Sequence, residues 1–176
     1  GATFWSKDTD FSTIFKYIGL SSTENDAVFR SDGSSTANWI FYRLADIMLM
    51  KAEALNQLEQ GSEAIELVDS VQARAGESIS TVDEDNIDMV TDEILLVRQK
   101  ELAYEGKRWF DVLRNARRND YARKDILYTM IENSVPSDEV DLIISKYSDS
   151  RSHYLPIYYE EIEINDKLVQ NLYYDF

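Results

Sequence analysis

Fourteen consecutive residues, Glu101 to Arg114 (ELAYEGKRWFDVLR), hold the side chains best suited to chemistry. Glu101, Glu105 and Asp111 supply carboxylates, Lys107, Arg108 and Arg114 supply cations, and Tyr104, Trp109 and Phe110 supply aromatic rings around one glycine, Gly106. Two carboxylates facing each other across a sugar can act as general acid and general base, as in glycoside hydrolysis. Arg98, Glu101 and Glu105 instead recur at spacings of three and four, which puts them on one helix face, pointing the same way. That spacing suits charge compensation, Arg98 with Glu101 and Glu105 with Arg108 or Lys107. Arg98, Glu101, Glu105, Arg108 and Asp111 are therefore expected to form one partly buried structural network. Trp109 and Phe110, just past the glycine corner, are expected in the core and not as a sugar platform. No catalytic residue is assigned.

Composition removes most other chemistries. The chain has 176 residues, 44% of them hydrophobic, enough for one domain with a real core. Acids outnumber bases by 33 to 18, and the resulting charge of −15 argues against nucleic acid and anionic lipid surfaces as partners. Cysteine is absent, so disulfides, thiolate nucleophiles and cysteine metal sites are absent too. The single histidine, His153, leaves little material for zinc sites or Ser-His-Asp triads and is read as a packing or surface residue. The acidic stretch Asp83–Asp88 (DEDNID) invites calcium, but the glycine of the sharp turn is missing and the closing glutamate is out of register. It is read as a solvated loop, and no metal or cofactor is expected. Apolar runs such as ADIMLM at 45–50 are too short to span a bilayer, and no export leader opens the chain.

The elements that must position these side chains are mostly helices. Residues 1–38 are rich in Ser, Thr, Asp and aromatics and read as a looped or extended lead-in, with SDGSSTAN at 31–38 a turn-rich connector. Leu44, Ile47, Met48, Leu55 and Leu58 then recur at helical spacing, with Ala45, Ala52 and Ala54 allowing close approach of another helix. Gly61 is expected as the left-handed stop, Ser62 as the next cap, and Gly76 as the end of a second helix carrying Ile65, Val68 and Val71. Thr91 is expected to cap a third helix that runs toward Gly106, with a fourth beyond it. Residues 43–75 and 92–116 thus read as two antiparallel αα-hairpins of tetratricopeptide-like type. Helical patterning resumes over 119–147, broken at Pro136, and the tail is irregular, with an extended approach to Pro156 and one short turn at YEEIEI.

Three segments resemble blocks found, in this order, in the C-terminal part of the SusD/RagB family of outer-membrane nutrient-binding lipoproteins of Bacteroidetes. The first is R-x-A-D-x-x-L-x-x-A-E-A, matched from Arg43 through Asp46 and Glu53 to Ala54. The second is E-L-x-x-E-G-x-R-W-x-D-x-x-R, matched by Glu101, Glu105, Gly106, Arg108, Trp109, Asp111 and Arg114. The third is L-P-I-P-x-x-E-I-x-x-N, matched from Leu155 and Pro156 to Asn165, followed by Gln170–Asn171, with Tyr158 where the family commonly has a second proline. That departure should alter only the local loop.

The resemblance implies a mainly α, SusD-like region, with residues 39–117 as two hairpins and 118–176 as helices and an extended tail. It also implies a non-catalytic protein that holds an oligosaccharide at the cell surface beside a SusC-like TonB-dependent transporter, touching the membrane only through an N-terminal lipid anchor. Complete members are several hundred residues long, so that anchor and most glycan-contacting aromatics are expected outside this chain, which alone should bind glycans weakly or not at all. Within it, the matched blocks read as scaffold, with Arg98 joining them. Aromatics of the lead-in are expected to pack, because an irregular segment must bury something to be ordered, and among them Trp5 and Tyr17 are the candidates for ligand contact. The competing readings are a generic helical-repeat interaction module, which leaves the LPIYYEEI tail without a purpose, and a glycosidase, for which no cleft-forming pattern is present.

Overall fold

Arg43, extended at φ −138° and ψ 163°, leads the chain into helix α1 (Leu44–Gln57). The computed structural model describes residues 20–23, 26–29 and 40–174, with side chains from residue 40 onward. Its chain divides into two compact units, Gly1–Gly106 and Lys107–Phe176. Among the described residues the fold is mainly α, with one small antiparallel hairpin of β1 (Leu20–Thr23) and β2 (Asp26–Phe29), in register Leu20 to Phe29 and Thr23 to Asp26. These strands lie within the lead-in that composition reads as looped or extended.

In the first unit, α1 buries Ala45, Leu49 and Ala52 together with Asp46, Glu53 and Asn56. The expected apolar stripe is only partly inward: Met48 and Leu55 pack on the core, whereas Leu44, Ile47 and Leu58 are exposed. Periodicity reads acids and amides as solvent-facing, yet here they are paired inside, and this rotates the buried face. Helix α1 ends in a Schellman turn, with Gln60 N–H bonded to Leu55 O (3.0 Å) and Glu59 N–H to Asn56 O (3.1 Å). The left-handed residue of that turn is Glu59 (φ 60°), not Gly61. Gly61 is instead the first residue of α2 (Gly61–Ala75), and Ser62 caps nothing. The glycine is needed for a different reason: a Cβ there would lie 1.9 Å from the Glu84 carbonyl oxygen.

Helix α2 buries Ile65, Val68 and Val71 as its pattern predicts, and ends at Gly76 with φ 78°. Helix α3 (Ile87–Glu101) begins four residues before Thr91, because the Asn86 side chain caps it, accepting from the N–H groups of Asp88 and Met89 at 3.1 Å each. The DEDNID stretch therefore ends in a helix cap. Thr91 lies inside α3, where its hydroxyl accepts a bond from Asn56 Nδ2 at 2.9 Å. Helix α3 packs against both α1 and α2, enclosing Leu49, Val68, Val90 and Ile94, each worth about 1.5–3 kcal/mol of burial. The loop before α3 is fastened by Ser80, whose N–H donates to Asp69 (2.8 Å) and whose hydroxyl donates to Glu93 (2.8 Å).

Helix α4 (Arg108–Ala116) opens the second unit and packs against α6 (Lys124–Glu132), which in turn meets α7 (Val140–Tyr147). Val112, Ala116, Leu127 and Ile131 form the core, with Trp109, Ile143, Ile144 and Tyr147 against them. The unit boundary falls at Gly106, with α3 packed on α1 and α2 in the first unit and α4 on α6 in the second. Gly106 does take the left-handed conformation expected of it, at φ 72°. Between α4 and α6 the short α5 (Arg118–Tyr121) carries a left-handed run at Asn119, Asp120 and Tyr121. A 3₁₀ turn (Ser150–His153), the six-residue α8 (Tyr159–Ile164) and a last 3₁₀ turn (Leu172–Tyr174) complete the tail.

Candidate functional site

The first two matched blocks meet at the start of α1. The guanidinium of Arg43 reaches past the end of α3, where Nε lies 3.0 Å and Nη2 2.9 Å from Glu105 Oε1. Its Nη1 donates to the Glu101 carboxylate and Nη2 to the Glu101 carbonyl. Arg74 of α2 approaches the same Glu101 oxygen at 2.6 Å. One arginine thus closes the end of α3 with charge-assisted bonds while satisfying a terminal carbonyl. Burial pulls the Arg43 guanidinium down, but the bonds to Glu105 and Glu101 outweigh it, and the group is held above its ordinary value.

Deeper in the same unit, Arg98 donates to Asp46 at 2.9 Å with both side chains almost fully enclosed. Asn56 donates to the Ile87 carbonyl and to Thr91, each at 2.9 Å. Arg98 bonds Asp46 across helices, and Glu101 and Glu105 both bond Arg43, partners that spacing within one helix does not name. Sequence spacing favours partners three or four residues apart, whereas these partners lie 52 to 62 residues away.

The remaining residues of the second block belong to the second unit. Asp111 accepts from Arg114 at 3.0 Å, and its backbone carbonyl accepts from Asn115 at 2.9 Å. Burial lowers the pKa of Arg108, and the charge of Asp111 opposes that shift. Of the five residues expected to form one network, Glu101 and Glu105 share Arg43, Arg98 takes Asp46, and Asp111 takes Arg114. Trp109 is half-buried against Tyr147, with ring centroids 5.3 Å apart, but Phe110 is 56% exposed and not a core residue. It flanks an open depression of about 440 Å³ lined also by Leu113, Arg114 and Arg117. The Arg117 guanidinium lies over the Tyr154 ring at 5.1 Å.

His153 is fully buried, as a packing residue should be. Its Nε2 donates to the Tyr147 carbonyl and its Nδ1 accepts from the Tyr121 hydroxyl, each at 2.9 Å, the assignment fixed by the carbonyl partner. Trp109, Tyr121 and Tyr147 wall the imidazole. The third block is closed by its own glutamine. Gln170 Oε1 accepts from Ile157 N–H (2.8 Å) and Gln170 Nε2 donates to Ile157 O (2.9 Å), so one side chain imitates a neighbouring strand. Asn171 donates to the Leu155 carbonyl on the other side of Pro156. Glu53 is buried on α1. Trp5 and Tyr17 lie outside the described residues. Among those described, no group of acids or histidine could hold a metal ion, and no helix is long and apolar enough to cross a membrane.

Comparison with known proteins bears on these blocks. The model of the SusD family matches residues 6–174. The chain belongs to the SusD family. Among its relatives, SusD-like protein P38 of Formosa agariphila is 43% identical over 84 residues, covering 44% of this chain and 17% of that protein. SusD-like protein P2 of the same organism is 34% identical over 107 residues, covering 57% and 20% respectively. A crystal structure of a SusD superfamily protein from Bacteroides thetaiotaomicron superposes with a TM-score of 0.53 at 25% identity, over 78% of this chain and 26% of that one. This SusD-family chain thus spans about a fifth of the curated relatives it matches. Sequence reasoning quoted most of these positions but missed Arg74 and Asn56. Neither sits in a matched block with a partner in helical register, so no local signal could have found them.

Proposed function

We propose that the chain is the scaffold portion of a non-catalytic nutrient-binding protein that holds an oligosaccharide at the outer-membrane surface beside a SusC-like TonB-dependent transporter. The observation that carries this reading is the family match over residues 6–174. The geometry supports the scaffold part of it. Arg43, Asp46, Arg98, Glu101 and Glu105 are engaged with one another between helices, and Gln170 and Asn171 with the backbone around Pro156. Glu101 and Glu105 both bond Arg43, and Arg74 also reaches Glu101, an arrangement unlike two carboxylates facing each other across a sugar, and this speaks against the glycosidase reading. A generic helical-repeat module accounts for α1 to α3 but not for the clamp over Leu155–Ile157.

Ligand contact then falls to groups that these cross-helix and tail bonds do not engage, with Trp5 and Tyr17 as candidates. Copurification of the epitope-tagged protein from outer membranes, followed by oligosaccharide titration, tests the reading. A transporter in the eluate and sugar bound without turnover are the expected results. Release of shortened sugars, or recovery without a transporter, would overturn it.

A further inference from the structure

The outward face of α4 is at odds with the charge of the molecule. Residues 107–124 hold seven of the 18 basic residues and only two acids, in a chain whose formal charge is −15. Phe110, Leu113, Arg114 and Arg117 recur at i, i+3, i+4 and i+7, so one face of the chain's course through α4 carries a ring, an aliphatic floor and two guanidiniums. That face is the depression described above. We infer that it is a subsite for an acidic sugar, one bearing a carboxylate or sulfate group; this inference rests on the glycan-binding reading above.

Each component has a role in such recognition. Phe110, more than half exposed, offers its face to the apolar side of a pyranose ring. Arg117 is exposed and stacked on Tyr154, which fixes the plane of its fork without using its N–H donors, the geometry that suits an oxyanion. Arg114 brings a second positive charge while one of its nitrogens stays on Asp111. A surface patch of this sign favours an anion over a neutral sugar.

Titration calorimetry of the full chain with an oligouronide, a sulfated oligosaccharide and a neutral oligosaccharide of equal length tests this. The acidic sugars should bind more tightly, and their affinity should fall as salt is raised. Arg117→Gln should weaken the acidic ligands by at least about tenfold, and Phe110→Ala should weaken them as well, both with melting temperature unchanged. Whichever acidic sugar loses more on Arg117→Gln is the one the fork serves. Equal binding of the neutral sugar, untouched by either variant, overturns the subsite but leaves glycan binding intact. Tight binding of polyglutamate that survives Phe110→Ala also overturns it, as a mere charge effect. Binding of no glycan at all overturns the subsite, while the broader reading, which expects little binding by this chain alone, stands or falls on the copurification above.

Discussion

The two compact units hold their most deeply buried polar groups differently. Between α1, α2 and α3 the cross-ties are ionic: Asp46 with Arg98 inside the core, and Arg43 and Arg74 with Glu101 at its edge. In the second unit the deepest polar group is the imidazole of His153, held by a carbonyl and a phenol, and walled by rings. A buried ion pair contributes little relative to an apolar pair of the same shape, yet removing one partner strands a charge. A buried neutral histidine strands nothing at neutral pH and becomes costly only when protonated. The first unit should therefore be sensitive to substitution and the second to acid.

The largest expected effect breaks the ionic side. Asp46→Ala should destabilise the first unit by about 3–5 kcal/mol, because Arg98 is left charged in the core. The double variant Asp46→Leu, Arg98→Met should recover most of that loss. Urea denaturation of the three proteins decides it, and a double variant no more stable than the single one would show the pair to be stabilising in its own right. Next comes Gly61→Ala. Its Cβ would collide with the Glu84 carbonyl, which is backbone, so the loop docked by Ser80 must shift, at a cost of about 1–3 kcal/mol. Gly106→Ala is the control, since nothing lies within 4 Å of its added Cβ and only the positive φ is strained. If the two variants melt alike, close approach is not what Gly61 serves.

Acid should sharpen the other side of the comparison. Burial depresses the pKa of His153; the Tyr147 bond and Asp149 oppose this, while Lys124 and Arg117 reinforce it. The unfolded chain then binds the proton more readily than the folded one. The contribution of His153 is fully present above an unfolded pKa of about 6.5 and is lost as pH falls below that value. Asp149, held at about 2 by its bonds to Arg151, does not titrate in that window. Chemical denaturation monitored through the tryptophans between neutral pH and mild acid should show a decline in the native protein that is reduced in His153→Gln. An unchanged decline would assign the acid sensitivity to carboxylates elsewhere.

The same contrast explains how far the sequence could be read. Helix α2 was legible throughout, since Ile65, Val68 and Val71 obey one period and Gly76 ends it. Helix α1 misleads because Asp46 and Asn56 face inward, and a periodicity argument has no means of knowing that Arg98 and Thr91 await them. Asn86 was hidden inside an acidic run that reads as loop. The blocks around Arg43, Glu101 and Leu155 identified the family, yet their pairings join residues up to 62 positions apart, which only the fold can bring together. Phe110 looked like core because its neighbour Trp109 is; adjacent residues on a helix point about 100° apart, and one faced outward.

The smallest effect concerns Tyr158, where this chain departs from its family. The residue sits at φ −61° and ψ 133°, the geometry proline imposes, at the start of α8. The clamp from Gln170 uses the N–H and carbonyl of Ile157, so a proline at the next position would remove no bond of the clamp. The Tyr158 ring is exposed and touches mainly Tyr159, with centroids 4.8 Å apart, a contact worth about 0.5 kcal/mol at the surface. Against that loss stands a gain of about 0.4–1 kcal/mol from restricting the unfolded chain. Tyr158→Pro should therefore be neutral or slightly stabilising, shifting the melting temperature upward by no more than about 2 °C. The effect should vanish when Gln170→Ala is added, because an unclamped Leu155–Ile157 segment no longer holds the following residue at the proline angle. A clear destabilisation by proline in the native background would mean that the Tyr158 side chain, and not only its backbone, serves the fold.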